Sequence, residues 1–164
     1  VTGVQTCALP ICPTNPNPML GAQRMQADLA QIGLKVNIKV MEWGEMLKRA
    51  KAGEHDMVSA GWAGDNGDPD NFLTPNLSCD AAKNGENYAR WCNKEFQDLI
   101  DKARAIAEPT QRAALYEQAL DVFAKDQPWI PMAYPKMFTA MRNNVEGYTQ
   151  SPLTTNNFAT TQVK

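Results

Sequence analysis

Between Glu54 and Phe72 the chain reads EHDMVSAGWAGDNGDPDNF, placing three carboxylates, Asp65, Asp68 and Asp70, in a stretch punctuated by Gly61, Gly64 and Gly67. Carboxylates this crowded can bind a hard cation, share acid and base roles at a glycosidic bond, or serve as turn formers. A calcium loop needs oxygen ligands at its first, third and fifth positions and glycine at the sixth. Counting from Asp65, the third position is Gly67; counting from Asp68, the fifth is Phe72, so the pattern fails in both frames. Glycoside hydrolysis needs two carboxyl groups on rigid elements across a sugar cleft, a geometry that one glycine-rich loop does not supply. The reading to beat for Asp68 and Asp70 is turn chemistry around Asp68–Pro69. A calcium-stabilised or metal-dependent hydrolase domain using residues 65–70 stands as the alternative function.

Other chemistry finds little purchase. No GxSxG occurs, Ser59 and Ser78 lack a credible base, and the only histidine, His55, stands in a charged GEHD turn where exposure is expected. No catalytic residue, metal ligand or cofactor is therefore named, and an enzyme is not expected. Cys79 and Cys92 bracket a short polar loop, a spacing that suggests a disulfide and an oxidising compartment. Two unpaired, partly buried thiols are the alternative; a zinc site lacks candidate ligands.

Composition narrows the classes further. The chain has 164 residues, 43% hydrophobic and 21% charged, with 16 basic and 18 acidic side chains. That is ordinary globular composition, without the basic footprint that nucleic acid or anionic lipid would call for. No apolar run reaches the roughly 20 residues of a membrane-spanning helix. The first residues are anomalous: VTGVQTCALPI, Val1 to Ile11, reads as the translation of a common sequencing adapter whose last base would open the codon of Cys12. Residues 1–12 are accordingly set aside from fold reasoning, and no foldable element is expected there.

The elements that must position the acidic loop follow from periodicity. Pro13 to Pro18 reads as an extended loop. Ala22, Met25, Leu29 and Ile32 recur at helical spacing up to Gly33. Leu34 to Met41 alternates as a half-buried strand, Trp43 to Ala52 is helical with Gly53 past its end, and Asp56 to Ala60 is expected to be a second, parallel strand. The acidic loop would then leave the carboxyl end of a parallel strand, where ligands commonly bind in open α/β sheets. Asn93 is expected to cap a helix running to Pro109, and Thr110 to cap a second one ending before Pro128, as an αα-hairpin. WIPMAY, from Trp129, and MFTAM, from Met137, look like short strands, with a turn at Glu146–Gly147. The tail from Thr149 has no periodicity and calls for a surface to pack on.

GWAGDNGDPDNF, the cysteine pair and NYARWCNKEFQDLIDKAR together resemble the C-terminal part of the bacterial dipeptide-binding proteins, extracytoplasmic receptors of ABC importers of the family 5 solute-binding type. The resemblance covers Pro13 to Lys164. It implies an α/β fold: part of one lobe of a two-lobed, type II-like periplasmic binding protein, with a parallel or mixed sheet and flanking helices. Residues 13–135 would be the C-terminal part of lobe two, and 136–164 a hinge return and tail belonging to lobe one.

The same resemblance implies the site. The family uses an aspartate at the position of Asp65 to hold a peptide's α-ammonium group, and Gly61 and Trp62 would border the peptide. For Trp62 the ordinary alternative is a core aromatic. An arginine that pairs with the peptide carboxylate is expected just before an RPxNPN-like segment, where this chain has Cys12; the departure removes that clamp. The implied partners are a dipeptide or short peptide and the membrane permease of an ABC importer. No nucleic acid and no direct membrane insertion are implied, and the receptor would be a periplasmic monomer.

Overall fold

The computed structural model describes residues 6–11, 16–134, 136–153 and 156–164, with side chains from residue 19 onward. The helical positions predicted from periodicity are largely realised, while several expected strands are not. Helix α1, Pro16–Gln31, starts earlier than expected. Pro16 and Pro18 fall in its first turn, where backbone N–H groups have no intrahelical acceptor, so a proline there forfeits nothing. Ala22 is buried on its inner face beside Met19, Ile38 and Met57, whereas Ile32, expected to face inward, is exposed.

Strand β1, Thr6–Ile11, pairs in parallel with β2, Lys35–Val40, in the register Cys7↔Val36, Leu9↔Ile38 and Ile11↔Val40. An element thus forms where none was expected, because the backbone of any β-compatible run can fill the ladder beside β2. The parallel crossover unit is consequently β1–α1–β2, one element earlier than predicted. The Gln26 amide donates to the Val36 carbonyl (2.7 Å), fastening α1 to the strand.

Helix α2, Trp43–Ala52, has its predicted bounds. The Glu42 carboxylate caps it by accepting from the N–H groups of Gly44 and Glu45. Gly53 ends it at φ 77°, the left-handed conformation in which a side chain would be strained. The following residues 56–60 form no strand: Met57 and Val58 are half-buried and Ala60 is exposed. A strand is completed only by a neighbouring edge, and no described residue supplies one to this run.

The core lies in the next three long elements, α3 (Pro69–Leu77), α5 (Lys94–Arg104) and α6 (Pro109–Asp126), with the single turn α4 (Ala81–Asn84) between them. Leu73 and Leu77 of α3 meet Phe96, Ile100 and Ala103 of α5 and Tyr116 and Ala119 of α6. Phe96 is 1% exposed, and fully burying such a side chain is worth about 1.5–3 kcal/mol. Trp91, Phe123 and Trp129 extend this core through edge-to-face contacts.

Asn93 caps α5 as expected, its side chain accepting from Glu95 and Phe96. Helix α6 is capped by Glu108 rather than Thr110, with Pro109 at the first helical position. The Glu108 carboxylate accepts from Thr110 N–H (3.0 Å) and Gln111 N–H (2.7 Å), two donors that would otherwise be orphaned.

A disulfide joins Cys79 to Cys92, with Cα atoms 4.6 Å apart. Within its loop the buried Asn87 amide donates to the carbonyls of Ser78 and Trp91, and Lys51 of α2 pairs with Glu86. His55, expected to be exposed, is half-buried under this loop, its Nε2 3.2 Å from the Tyr88 carbonyl. Burial, and secondly the nearby Arg90, lower its pKa below the usual histidine value.

Beyond α6 the two expected strands, 129–134 and 137–141, are not formed. Ile130, Met132, Tyr134, Met137 and Phe138 lie exposed instead. Farther on, β3 (Val145–Glu146) pairs antiparallel with β4 (Gln162–Val163) beside the predicted turn, where Gly147 has φ 74°.

Candidate functional site

The acidic loop splits into two parts with different fates. Asp68 is the N-cap of α3: it accepts from Asp70 N–H (2.9 Å), and Pro69 occupies the first helical position. Arg112, on the first turn of α6, grips the Asp68 carboxylate with both prongs, Nη2 to Oδ1 at 2.9 Å and Nη1 to Oδ2 at 2.8 Å. The same guanidinium donates to the hydroxyl of the buried Tyr116 (3.1 Å). A two-pronged arginine–carboxylate contact fixes orientation as well as charge. The Asp70 N–H bond and, after it, Arg112 hold the Asp68 carboxyl below the usual aspartate range.

Asp70 is likewise engaged. It accepts from the Thr74 hydroxyl (2.5 Å) and lies 3.3 Å from Arg104 Nε of α5. The two aspartates read as turn formers are therefore helix-cap and ion-pair residues that staple the loop to the hairpin. Their oxygens are committed to α3 and to arginines, which is poor ground for a calcium or hydrolase site at 65–70.

Residues 61–67 form the second part, with no regular structure. Gly61 and Asp65 are exposed, and Trp62 is 39% exposed. The Asp65 N–H donates to Asn71 Oδ1 (2.8 Å), and the Asp68 N–H to Asn66 Oδ1 (2.9 Å). Gly67 sits at φ 74° between them. The structure thus brings Asp65, Gly61 and Trp62 together on one exposed loop. Cys12, the fourth predicted site position, lies outside the described residues.

Three residues that sequence reasoning missed organise this arrangement: Asn71, Arg104 and Arg112. For Asn71 a signal exists. Asp68–Pro69 is an N-cap followed by proline at the first helical position, which announces a helix and puts Asn71 in its first turn. Glu108–Pro109 is the same signal at the start of α6, where Pro109 was expected to end the preceding helix. Nothing local connects Arg112 to Asp68, 44 residues away.

Comparison with known proteins gives a consistent picture. The family model described as bacterial extracellular solute-binding proteins, family 5 Middle, matches residues 4–84. The di/tripeptide-binding protein 4 of Pseudomonas aeruginosa is 62% identical over 152 residues, covering 93% of this chain and 28% of that protein. Among solved structures, an ABC transporter-associated periplasmic binding protein from Helicobacter pylori in complex with the peptide STSA superimposes with a TM-score of 0.87. It shares 37% identity, covering 96% of this chain and 31% of that one. A dipeptide-binding protein from Pseudoalteromonas sp. SM9913 in complex with Met-Leu gives 0.86 and 37%, covering 97% and 32%. The chain spans under a third of the length of each of these relatives.

Proposed function

The chain belongs to the bacterial extracellular solute-binding proteins of family 5, and on that premise we propose that it contributes one side of a peptide site in a periplasmic receptor serving an ABC importer. The observation that carries this reading is the division of the acidic loop. Two of its aspartates are tied inward by arginines, while Asp65 and Trp62 stand on the exposed part. A peptide's α-ammonium taken out of water needs a charge-assisted partner, and Asp65 fills that role. Trp62 walls the neighbouring pocket, and the backbone at Gly61 pairs with the extended peptide as an added strand.

Residues 13–135 belong to lobe two in this reading, and 136–164 return through the hinge to lobe one. The exposed apolar run from Ile130 to Met141 supports that division, being surface that a second lobe would cover. Ligand contacts from both lobes bias an open–closed equilibrium, and the closed monomer is presented to the permease. The hydrolase alternative has no support: the relatives named above are binding proteins, and two of the three carboxylates it would use, Asp70 and Asp68, are paired with Arg104 and Arg112.

The test places Pro13–Lys164 in the frame of the 62% identical relative, with arginine restored at position 12, and titrates Met-Leu calorimetrically. Binding of the free dipeptide with rejection of its N-acetyl form is expected. Asp65→Asn is expected to weaken binding at least thirtyfold, about 2 kcal/mol, the worth of a charged hydrogen bond. An affinity unchanged by Asp65→Asn would remove the ammonium role.

A further inference from the structure

We propose that Asn71, itself fixed by the Arg112–Asp68 fork, is the positioning residue for Asp65; the proposal rests on the peptide-site reading above. The loop around Asp65 cannot hold its own shape. Gly61, Gly64 and Gly67 leave its backbone the widest choice of conformations, and no strand or helix runs through 61–68. A carboxylate on such a backbone would spread over many orientations, and a ligand would have to order it at an entropic cost.

Asn71 removes much of that freedom. Its Oδ1 accepts the Asp65 N–H at 2.8 Å, so one short side chain on α3 sets where the backbone of residue 65 lies. Gly64 is close by: a Cβ there would stand 3.6 Å from the same oxygen, so the loop is laid directly against Asn71. The anchor is only as rigid as the end of α3, and that end is fixed from a distance. Asp68 caps it, and Arg112 holds Asp68 by two bonds while also bonding Tyr116, which is part of the buried core. A line of contacts therefore runs from the core through Tyr116, Arg112, Asp68 and the first turn of α3 to the Asp65 backbone. Each link is a hydrogen bond or covalent neighbour, and the ligand touches only the last.

The test measures Asp65 amide exchange by NMR on this chain, alongside Met-Leu binding in the full-length chimera. Asn71→Ala should speed exchange of the Asp65 amide at least tenfold with α5 core amides unchanged, and weaken Met-Leu about tenfold. Asn71→Asp keeps the acceptor oxygen and should restore both to within threefold of the parent. Arg112→Met should also speed Asp65 exchange, by a smaller factor. Should the Arg112 variant fail to fold, the two Asn71 substitutions decide alone.

Unchanged Asp65 exchange in Asn71→Ala overturns the proposal. So does an affinity loss that Asn71→Asp fails to rescue, since that would mark a role other than the acceptor oxygen. If Asp65→Asn leaves Met-Leu affinity intact while Asn71→Ala still loosens the Asp65 amide, the ammonium reading has failed and the anchor itself stands.

Discussion

The helical unit from α3 to α6 and the segment from Trp129 to Met141 are both rich in large apolar side chains, yet one buries them and the other displays them. Phe96 and Ile100 are within 1% of full burial, while Tyr134 and Phe138 are 93% and 88% exposed. A helix satisfies its backbone within itself and then needs only a second helix to cover its apolar stripe. A strand must borrow hydrogen-bond partners from a neighbouring edge before its side chains can share a face. The hairpin carries its partner 5 residues along the chain, between Arg104 and Pro109; no described residue offers an edge to 129–141.

The largest effect that would sharpen this contrast is Phe96→Ala, expected to cost about 3–5 kcal/mol of unfolding free energy in urea titration. The matching change in the other region, Phe138→Ser, is expected within about 0.5 kcal/mol of the parent. A cost of several kcal/mol for Phe138→Ser would break the comparison, since it would mean that the segment packs.

Next in size is the Cys79–Cys92 bridge. Replacing both cysteines with serine opens a loop of 13-residue separation, which the chain-entropy model values at about 3 kcal/mol. The loss should appear as a lower urea midpoint for the helical unit. The exposed segment should keep its susceptibility to protease, which depends on its own lack of packing.

The smallest effects concern pH. The folded Asp68 carboxyl lies below its unfolded value of about 3.9. The folded state there binds fewer protons, so its contribution is complete above that value and fades as pH falls through the depressed one. His55, lowered from about 6.5, has the same sign at higher pH: it favours the fold above 6.5 and loses that contribution as the solution is acidified. Two acid steps are therefore expected in urea midpoints. His55→Gln should flatten the one below pH 6.5 and Asp68→Asn the one below pH 4. A midpoint that rises on acidification would contradict both signs.

Much of this architecture could be read from residue spacing. Periodicity located α2 and α5 with their caps, Asn93 and Gly53, because each cap satisfies backbone groups within a few residues. The cysteine pair was legible from its spacing around a polar loop. Helix α3 and the true start of α6 were missed at Asp68–Pro69 and Glu108–Pro109, although both are local signals. The strands expected at 56–60 and 129–141 were misjudged for a different reason: alternation shows which face a strand would bury and says nothing about whether an edge awaits it.

By itself the sequence determined α2 and α5, the caps Gly53 and Asn93, the cysteine pairing and the resemblance that singled out Asp65 from its neighbours. Those features rest on contacts between residues close in the chain, or on a motif that stands in one place. Only the tertiary structure decided what Asp68 and Asp70 do. Arg112 and Arg104 reach Asp68 and Asp70 across a long separation in sequence, and Asn71 takes hold of the Asp65 backbone once α3 has formed. Asp68 and Asp70, identical side chains two residues apart, are distinguished by which arginine the packed hairpin brings to each.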